Sequence, residues 1–394
     1  MRVAHINVRL AEGGAGQVAF SLHQGLLECG YESRILYGYA SGITASAFER
    51  ETSGAVKIGS KGAVLGNFAA HCIFGKDLFT DRHGREALVA AVAWADVVHL
   101  HAIHHYFVST TDLFGILGSS GKPVVWTLHD FWPLTGRCAV PENCTHWRQG
   151  CGRCPSRTGD LPSFLDLSAW HWREKQHLIS ALPRLTFTAP SPHMADAARV
   201  RFPSRRVEMV PNFLPRAQVQ PKQVPFSSAR SSDKTRILVV AADLSYKPKI
   251  DTDCIRKLVG RGNCQIVTMG RSSPFPDAEN HGYVEDEITR ANIVNSCDVL
   301  LFTSVVDSFG MVLIESLAAG LFVMAADSPA SRYILSIVGG SPYGSIDELV
   351  DIVASRRWAD LYGRKSIEEV ANICRDFFSF ESVFSKFEGI YRST

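Results

Sequence analysis

The sequence predicts an α/β protein built from two doubly wound, Rossmann-like domains that face each other across a cleft. Three observations carry this. The chain has 394 residues, and at roughly 100–200 residues per domain that length predicts two. It opens on a strand, a glycine-rich turn, an amphipathic helix and a second strand, the start of an open parallel sheet. The same pattern restarts after a polar, proline-rich stretch near the middle.

The first strand is Val3–Val8, followed by the turn Glu12-Gly13-Gly14-Ala15-Gly16. Val18, Leu22, Leu26 and Leu27 then recur at helical spacing, and Gly30 stops the helix. Ser33–Tyr37 is the next strand. Val97–Leu100, Val124–Leu128 and Leu185–Ala189 are short apolar runs, as expected of parallel strands covered on both faces. From Pro211 to Lys234 there are four prolines and no period, which reads as a linker. Strands resume at Ile237–Ala241, Ile266–Met269 and Asp298–Thr303; helix Met311–Ala319 ends at Gly320, and strand Phe322–Ala325 follows. The tail from Ile367 to Arg392 reads as helical. The expected domains are 1–212, a linker 213–235, and 236–375, with a helix over about 376–394 returning to pack on the first domain.

Composition narrows the function. Apolar residues make up 46% and charged residues 20%, an ordinary globular balance far from that of disordered chains. Forty-one basic and 39 acidic residues leave a net charge of +2, which argues against nucleic-acid binding through bulk charge. The longest clean apolar run, Ala87 to Ala95, is too short to span a bilayer. The N-terminus reads as a strand rather than a secretory signal, so a cytoplasmic location is expected.

The most informative stretch is Thr303 to Glu315. A strand leads into the loop Ser304–Gly310, and a helix starts near Gly310 or Met311. The first N–H groups of a helix lack partners and carry partial positive charge, so Ser308, Phe309, Gly310, Met311 and Val312 can frame a diphosphate without a metal. Asp307 precedes this anion site and Glu315 lies about a turn inside the helix. Carboxylates so placed can accept hydrogen bonds from the hydroxyl pairs of a sugar and a ribose. A capping Asp and a solvated Glu are the plainer alternative.

This segment resembles that of glycosyltransferase family 4, the retaining GT-B enzymes that use nucleotide-sugar donors. In the family it reads Glu, seven residues, Glu, with Phe-Gly after the first acid; here Asp307 replaces the first Glu. The resemblance implies that Asp307 binds donor-sugar hydroxyls and Glu315 the ribose. It also implies a cation on the diphosphate after the first strand of the second domain, matched best by Lys249, with Lys247 a substitute. The family arginine is missing and Arg271 is a candidate to replace it. The turn at Gly13 and Gly14 is not a dinucleotide fingerprint; in the family it faces the donor phosphate.

The block Thr127-Leu128-His129-Asp130-Phe131-Trp132-Pro133-Leu134-Thr135-Gly136-Arg137-Cys138 resembles a family 4 subgroup of bacterial exopolysaccharide and capsule clusters. The resemblance places His129 at the donor sugar. His101 and Asp130 are candidates for the acceptor side, His101 at a strand end crowded by His99, His104 and His105. Satisfied loop or core histidines are the alternative. Cys138, Cys144, Cys151 and Cys154 are spaced C-x5-C-x6-C-x2-C, which suits a closed structural zinc site; disulfides or plain buried thiols are the other options. Asp251-Thr252-Asp253 reads as a helix cap rather than a catalytic metal motif. Arg199, Arg201, Arg205 and Arg206, and the stretch Lys57–Arg85 with Lys61, Lys76 and Arg82, are candidates for anionic lipid headgroups or plain solvated faces.

The expected function is retaining transfer of a sugar from a UDP- or GDP-sugar to a polyprenyl-diphosphate-linked oligosaccharide. His129, Asp307 and Lys249 would be central and no catalytic metal is expected. Peripheral contact with the inner membrane is expected, and nucleic acid is not. A sugar-phosphate synthase or phosphorylase of the same fold, a non-catalytic zinc-bearing module, and a dehydrogenase are the alternatives.

Overall fold

The computed structural model describes residues 1–39, 49, 51–155, 161–214, 234–261, 263–284 and 286–394. Most of the expected linker 213–235 lies outside the described residues. The chain divides into two compact units, Met1–Pro211 with Phe384–Thr394, and Asn212–Val383.

The first unit holds a sheet of seven strands: β1 (Arg2–Arg9), β2 (Glu32–Tyr39), β3 (Ala55–Lys57), β4 (Val97–Leu100), β5 (Val124–Thr127), β6 (Leu185–Ala189) and β7 (Arg206–Met209). Their order is β3-β2-β1-β4-β5-β6-β7, and every pairing is parallel. β4, β5 and β6 are buried along their whole length. Ile6, Leu36, Val98, Trp126 and Phe187 are fully enclosed in one core. β3 and β7 are short and half-exposed, as edge strands commonly are.

The second unit has five parallel strands: β8 (Thr235–Asp243), β9 (Cys264–Arg271), β10 (Glu279–Asn280), β11 (Val299–Phe302) and β12 (Phe322–Ala325). Their order is β10-β9-β8-β11-β12. Its core is Ile237, Leu238, Leu300, Leu301 and Val323, all at most 1% exposed. β12 is an edge strand, and buried Tyr362 occupies its open side. The Tyr362 hydroxyl donates to the Val323 carbonyl at 2.8 Å and accepts from its N–H at 3.1 Å.

Two boundaries differ from the sequence-based expectation. The glycine turn is already helix: the first helix runs Gly13–Glu28. Gly13 enters it at φ +73°, and a Cβ on Gly16 would come within 2.9 Å of the Ala11 carbonyl carbon, so glycine lets the helix start against the preceding turn. The tail is two helices, Ile367–Phe377 and Phe380–Ser393. Between them the Phe378 carbonyl accepts from Leu214 N–H at 2.9 Å, while the Ser379 hydroxyl accepts from Ser382 N–H at 3.3 Å and caps the next helix.

The arginine cluster is half internal: Arg199 and Arg206 are exposed, Arg201 and Arg205 are not. Arg201 is 6% exposed, stacks 3.5 Å from the Trp172 ring centre and donates to the Trp172 carbonyl at 2.9 Å. Arg205 donates to the carbonyls of Ile179, Ser180 and Leu182, the open end of a helix. Arg199 and Arg206 pair with Asp196 and Glu208. The Arg201 and Arg205 guanidinium groups thus hold local structure.

Candidate functional site

In an open parallel sheet, ligands bind beyond the carboxyl ends of the strands where the strand order reverses. In the second unit that point lies between β8 and β11, neighbours that are not consecutive. After β8 the chain turns through Lys247 and Lys249, with Lys249 N–H bonded to the Tyr246 carbonyl at 3.0 Å. The Thr303 hydroxyl, at the end of β11, donates to the Lys249 carbonyl at 3.1 Å and accepts from Asp251 N–H at 3.0 Å. That latch ties the lysine turn to the loop carrying Asp307. Lys249 Nζ then lies 2.8 Å from Asp307 Oδ1. Lys247 is exposed.

The loop after β11 is fixed by Phe309, which is 1% exposed and packs edge-on against Phe378 at 5.7 Å and Tyr333 at 6.3 Å between ring centres. Gly310 follows at φ +93°, and helix Met311–Ala318 begins with no side-chain cap. A Cβ on Gly310 would come within 2.9 Å of Leu313 Cδ1. The loop thus delivers a helix N-terminus whose N-cap residue, a glycine, offers no side-chain acceptor, close in sequence to an Asp–Lys pair. Ser308 lies just before it. Burial pushes the Glu315 carboxyl up, with Arg290 opposing. Arg271 ends β9 opposite Asp243 in register, and its guanidinium lies 4.8 Å from the Tyr283 ring centre.

The Asp251 side chain accepts from Cys254 N–H at 2.9 Å, capping helix Thr252–Arg261. The acidic triplet is therefore a helix start.

In the first unit the reversal lies between β1 and β4. Gly13 and Gly14 are exposed after β1. Register pairs His5 of β1 with His99 of β4. His5 Nδ1 and His101 Nε2 are 3.1 Å apart, and His101 Nδ1 and His129 Nε2 are 3.0 Å apart. His99 bonds Tyr391 Oη at Nδ1 and Thr127 Oγ1 at Nε2, both at 2.7 Å. Burial holds His5, His99 and His101 well below the ordinary imidazole range and lowers His129 to about 4. These rings are neutral at physiological pH.

His101, expected on the acceptor side, is 2% exposed with both nitrogens engaged by His5 and His129. Asp130 is half-buried and bonds His104 Nε2 at 2.7 Å and Trp132 N–H at 2.8 Å. Burial favours its neutral form, but His104 and these hydrogen bonds keep its carboxyl below the usual range. The following residues His105 and Tyr106 both have φ above +70°, a costly conformation for side-chain-bearing residues. The Tyr39 hydroxyl donates to the His105 carbonyl at 2.5 Å, the Asp77 carboxylate accepts from Tyr106 N–H at 2.9 Å, and Asn67 Nδ2 donates to the Tyr106 carbonyl at 3.0 Å. Sequence inspection overlooked Thr303, His5 and Tyr391. The signal for His5 was its place at the same depth in β1 as His99 in β4.

The cysteine segment is a series of tight turns, with φ positive at Gly150, Cys151, Gly152 and Arg153. Burial raises the Cys138 thiol and lifts Cys151 to about 11. Gly136 N–H donates to Cys151 Sγ at 3.2 Å, and Arg137 Nη1 lies 3.8 Å from Cys154 Sγ. Lys175 Nζ sits 3.5 Å over Trp132 and donates to the carbonyls of Trp132 and Thr135. Burial lowers Lys175 to about 7, with Cys138 and Cys151 opposing. Among the described residues, the one group of metal-ligating atoms all within 4.8 Å of one another is His5, His99 and His101.

Comparison with known proteins identifies the family and the fold. The sequence model of Glycosyltransferase Family 4 matches residues 12–218. The chain is 31% identical over 363 residues to the putative colanic acid biosynthesis glycosyl transferase WcaC of Escherichia coli K12, covering 90% of this chain and 89% of that protein. Among solved structures, Anabaena HepE in complex with UDP and glucose superposes with a TM-score of 0.67 at 13% identity, covering all of both chains. The lipopolysaccharide outer core galactosyltransferase WaaB does so at 0.63 and 14%, again over all of both chains.

Proposed function

The chain belongs to glycosyltransferase family 4 and is a glycosyltransferase of the GT-B class; from that premise we propose that it transfers a sugar, with retention, from a UDP- or GDP-sugar to a polyprenyl-diphosphate-linked oligosaccharide in bacterial exopolysaccharide synthesis. The observation that carries the proposal is the uncapped start of helix Met311–Ala318 beside a lysine 2.8 Å from Asp307. A helix N-terminus stabilises a diphosphate leaving group, and a lysine ammonium adds a full charge. On donor binding Lys249 turns toward the diphosphate, and Asp307 accepts hydrogen bonds from the sugar hydroxyls. Glu315 receives the ribose hydroxyls, which favour its ionised form. His129 orients the sugar. The departing phosphate takes the acceptor proton, so no protein nucleophile and no divalent ion are needed.

The similarity to HepE, solved with UDP and glucose, supports a nucleotide sugar, and the similarity to WcaC supports exopolysaccharide synthesis. A calorimetric screen of UDP- and GDP-sugars tests the donor. Saturable binding unaffected by EDTA, and transfer to a lipid-linked acceptor but not to a soluble sugar phosphate, are expected. Turnover only with manganese, or no binding across the panel, refutes the scheme.

Two partners complete the proposal. The spacing of Cys138, Cys144, Cys151 and Cys154 suits one structural zinc, although no three of their sulfurs lie within 4.8 Å of one another in this structure; elemental analysis finding one zinc per chain, lost in Cys138→Ser, supports the site, and none refutes it. Among the described residues no helix is long and apolar enough to cross a membrane. The first unit nonetheless exposes a joined apolar surface. Leu65 and Phe164 are 69% and 79% exposed. Phe164 and Leu165 N–H groups bond the carbonyls of Cys72 and Ile73, which joins their segment to helix Lys61–Phe74, where Phe68, Ile73 and Phe74 are also exposed. Exposed Lys61 opens that helix. Such a face suits shallow insertion among headgroups; vesicles containing anionic lipid should retain the protein, and Phe164→Ser with Leu65→Ser should release it.

A further inference from the structure

The imidazoles of β1, the loop after β4 and the loop after β5 form a line: His5 Nδ1 to His101 Nε2, then His101 Nδ1 to His129 Nε2. A neutral imidazole has one N–H and one lone pair. Each link therefore needs one donor and one acceptor, and a line of neutral rings must be ordered head to tail. Two orders exist. In one, each ring carries its proton on Nδ1 and the line points from His5 to His129. In the other, each proton sits on Nε2 and the line points inward.

The far end decides between them. His5 is 0% exposed, and its Nε2 is buried with no hydrogen-bond partner among the described residues. The inward order would leave an N–H there, a buried donor with nothing to receive it. The outward order leaves a lone pair. Orphaned buried N–H groups are rarer in folded proteins than under-satisfied acceptors, so the outward order is favoured. His99 holds the line in place: its ring centre lies 4.0 Å from that of His101, and Thr127 and Tyr391 fix both its nitrogens. The three buried rings also lie close enough to suggest a metal centre. Against that, both nitrogens of His99 and both of His101 already have hydrogen-bond partners.

We propose that His5 and His101 are positioning residues that fix His129 as its Nδ1–H tautomer, so that His129 meets an oxygen of the substrate as a hydrogen-bond donor and never as a base. Its Nε2 lone pair is engaged by His101, and its Nδ1 carries a proton. It can steady a sugar hydroxyl or a departing oxygen but cannot take the acceptor proton. The tautomer stands on its own; its consequence for turnover rests on the glycosyl-transfer reading above.

The test is a long-range proton–nitrogen correlation spectrum of the full chain labelled with 15N-histidine at pH 7, with His129 assigned by His129→Gln. Nδ1–H tautomers at His129, His101 and His5 are expected; an Nε2–H tautomer, or an even mixture, at His129 overturns the proposal. His5→Phe should keep the tautomer, because the buried end then becomes a lone pair on His101. His101→Leu should release it and lower kcat by roughly 10–100-fold with little change in donor KM. His101→Asn, whose amide N–H can still donate to His129, should recover most of that loss. A His101→Leu protein with unchanged tautomer and kcat overturns the proposal, as does a stoichiometric metal lost in His5→Phe. A wild-type chain with the expected tautomer that turns over no nucleotide sugar refutes the glycosyl-transfer scheme alone.

Discussion

The two units place opposite kinds of chemistry at equivalent points. Each presents groups at the carboxyl ends of parallel strands where the strand order reverses. In the first unit those groups are neutral imidazoles, buried at His5, His99 and His101 and half-buried at His129. In the second they are a half-exposed ammonium, a carboxylate and an uncapped helix start. A neutral, buried set is suited to orientation. A charged set at a helix terminus is suited to stabilising charge that develops during a reaction. The same sheet topology thus supports a positioning half and an electrostatic half.

That contrast makes the largest kinetic effects fall in the second unit. Lys249→Ala should lower kcat/KM by about 10²–10³-fold, the loss typical of removing one preorganised group from a developing charge. A double-mutant cycle of Lys249→Ala with Asp307→Ala should show coupling of about 0.5–3 kcal/mol, as residues in contact do. His129→Gln should cost less, through sugar orientation. Equal losses at Lys249 and His129 would break the division of labour.

Acid should separate the units next. His5, His99, His101 and His129 stay neutral when folded, while unfolded imidazoles take up protons below about 6.5. The unfolded chain then binds more protons. The first unit therefore loses stability as pH falls from about 6.5 toward 4, by up to ~1.4 kcal/mol per pH unit for each imidazole, and gains nothing above that range. Glu315 acts with the opposite sign. Burial raises its carboxyl, so its contribution is fullest at low pH and declines as pH rises past the unfolded value. Urea titrations between pH 4 and 7.5, with probes in each unit, should show the first unit's midpoint falling faster on acidification.

The smallest effect should come from Tyr391→Phe. It removes the hydroxyl on His99 Nδ1 and leaves a buried nitrogen without its partner, at a cost of about 1–3 kcal/mol. The urea midpoint of the first unit should drop while that of the second stays.

How much of this was legible follows from burial. β4, β6 and β12 could be read from apolar runs because both faces are covered, and β12 was placed to the residue. β3 and β7 were missed because half-exposed edge strands carry no such run. The helix start at Gly13 was hidden because glycine reads as turn, whatever backbone angles it takes. Asp307, Lys249 and Glu315 could be singled out from local spacing after a buried strand. Their connection through Thr303 could not, since a threonine at a strand end has no distinctive pattern. Arg201 and Arg205 read as surface charge, but their partners are carbonyls and rings distant in sequence.

The first unit is closed by Phe384–Thr394, while the second is the uninterrupted stretch Asn212–Val383. A nascent chain therefore finishes the later-made body before the earlier one. Until Tyr391 leaves the ribosome, His99 has no hydroxyl at Nδ1, and it lacks the ring of Phe387, whose centre lies 5.5 Å from its own. The earlier body must wait, incompletely sealed, while about 170 further residues are made and folded.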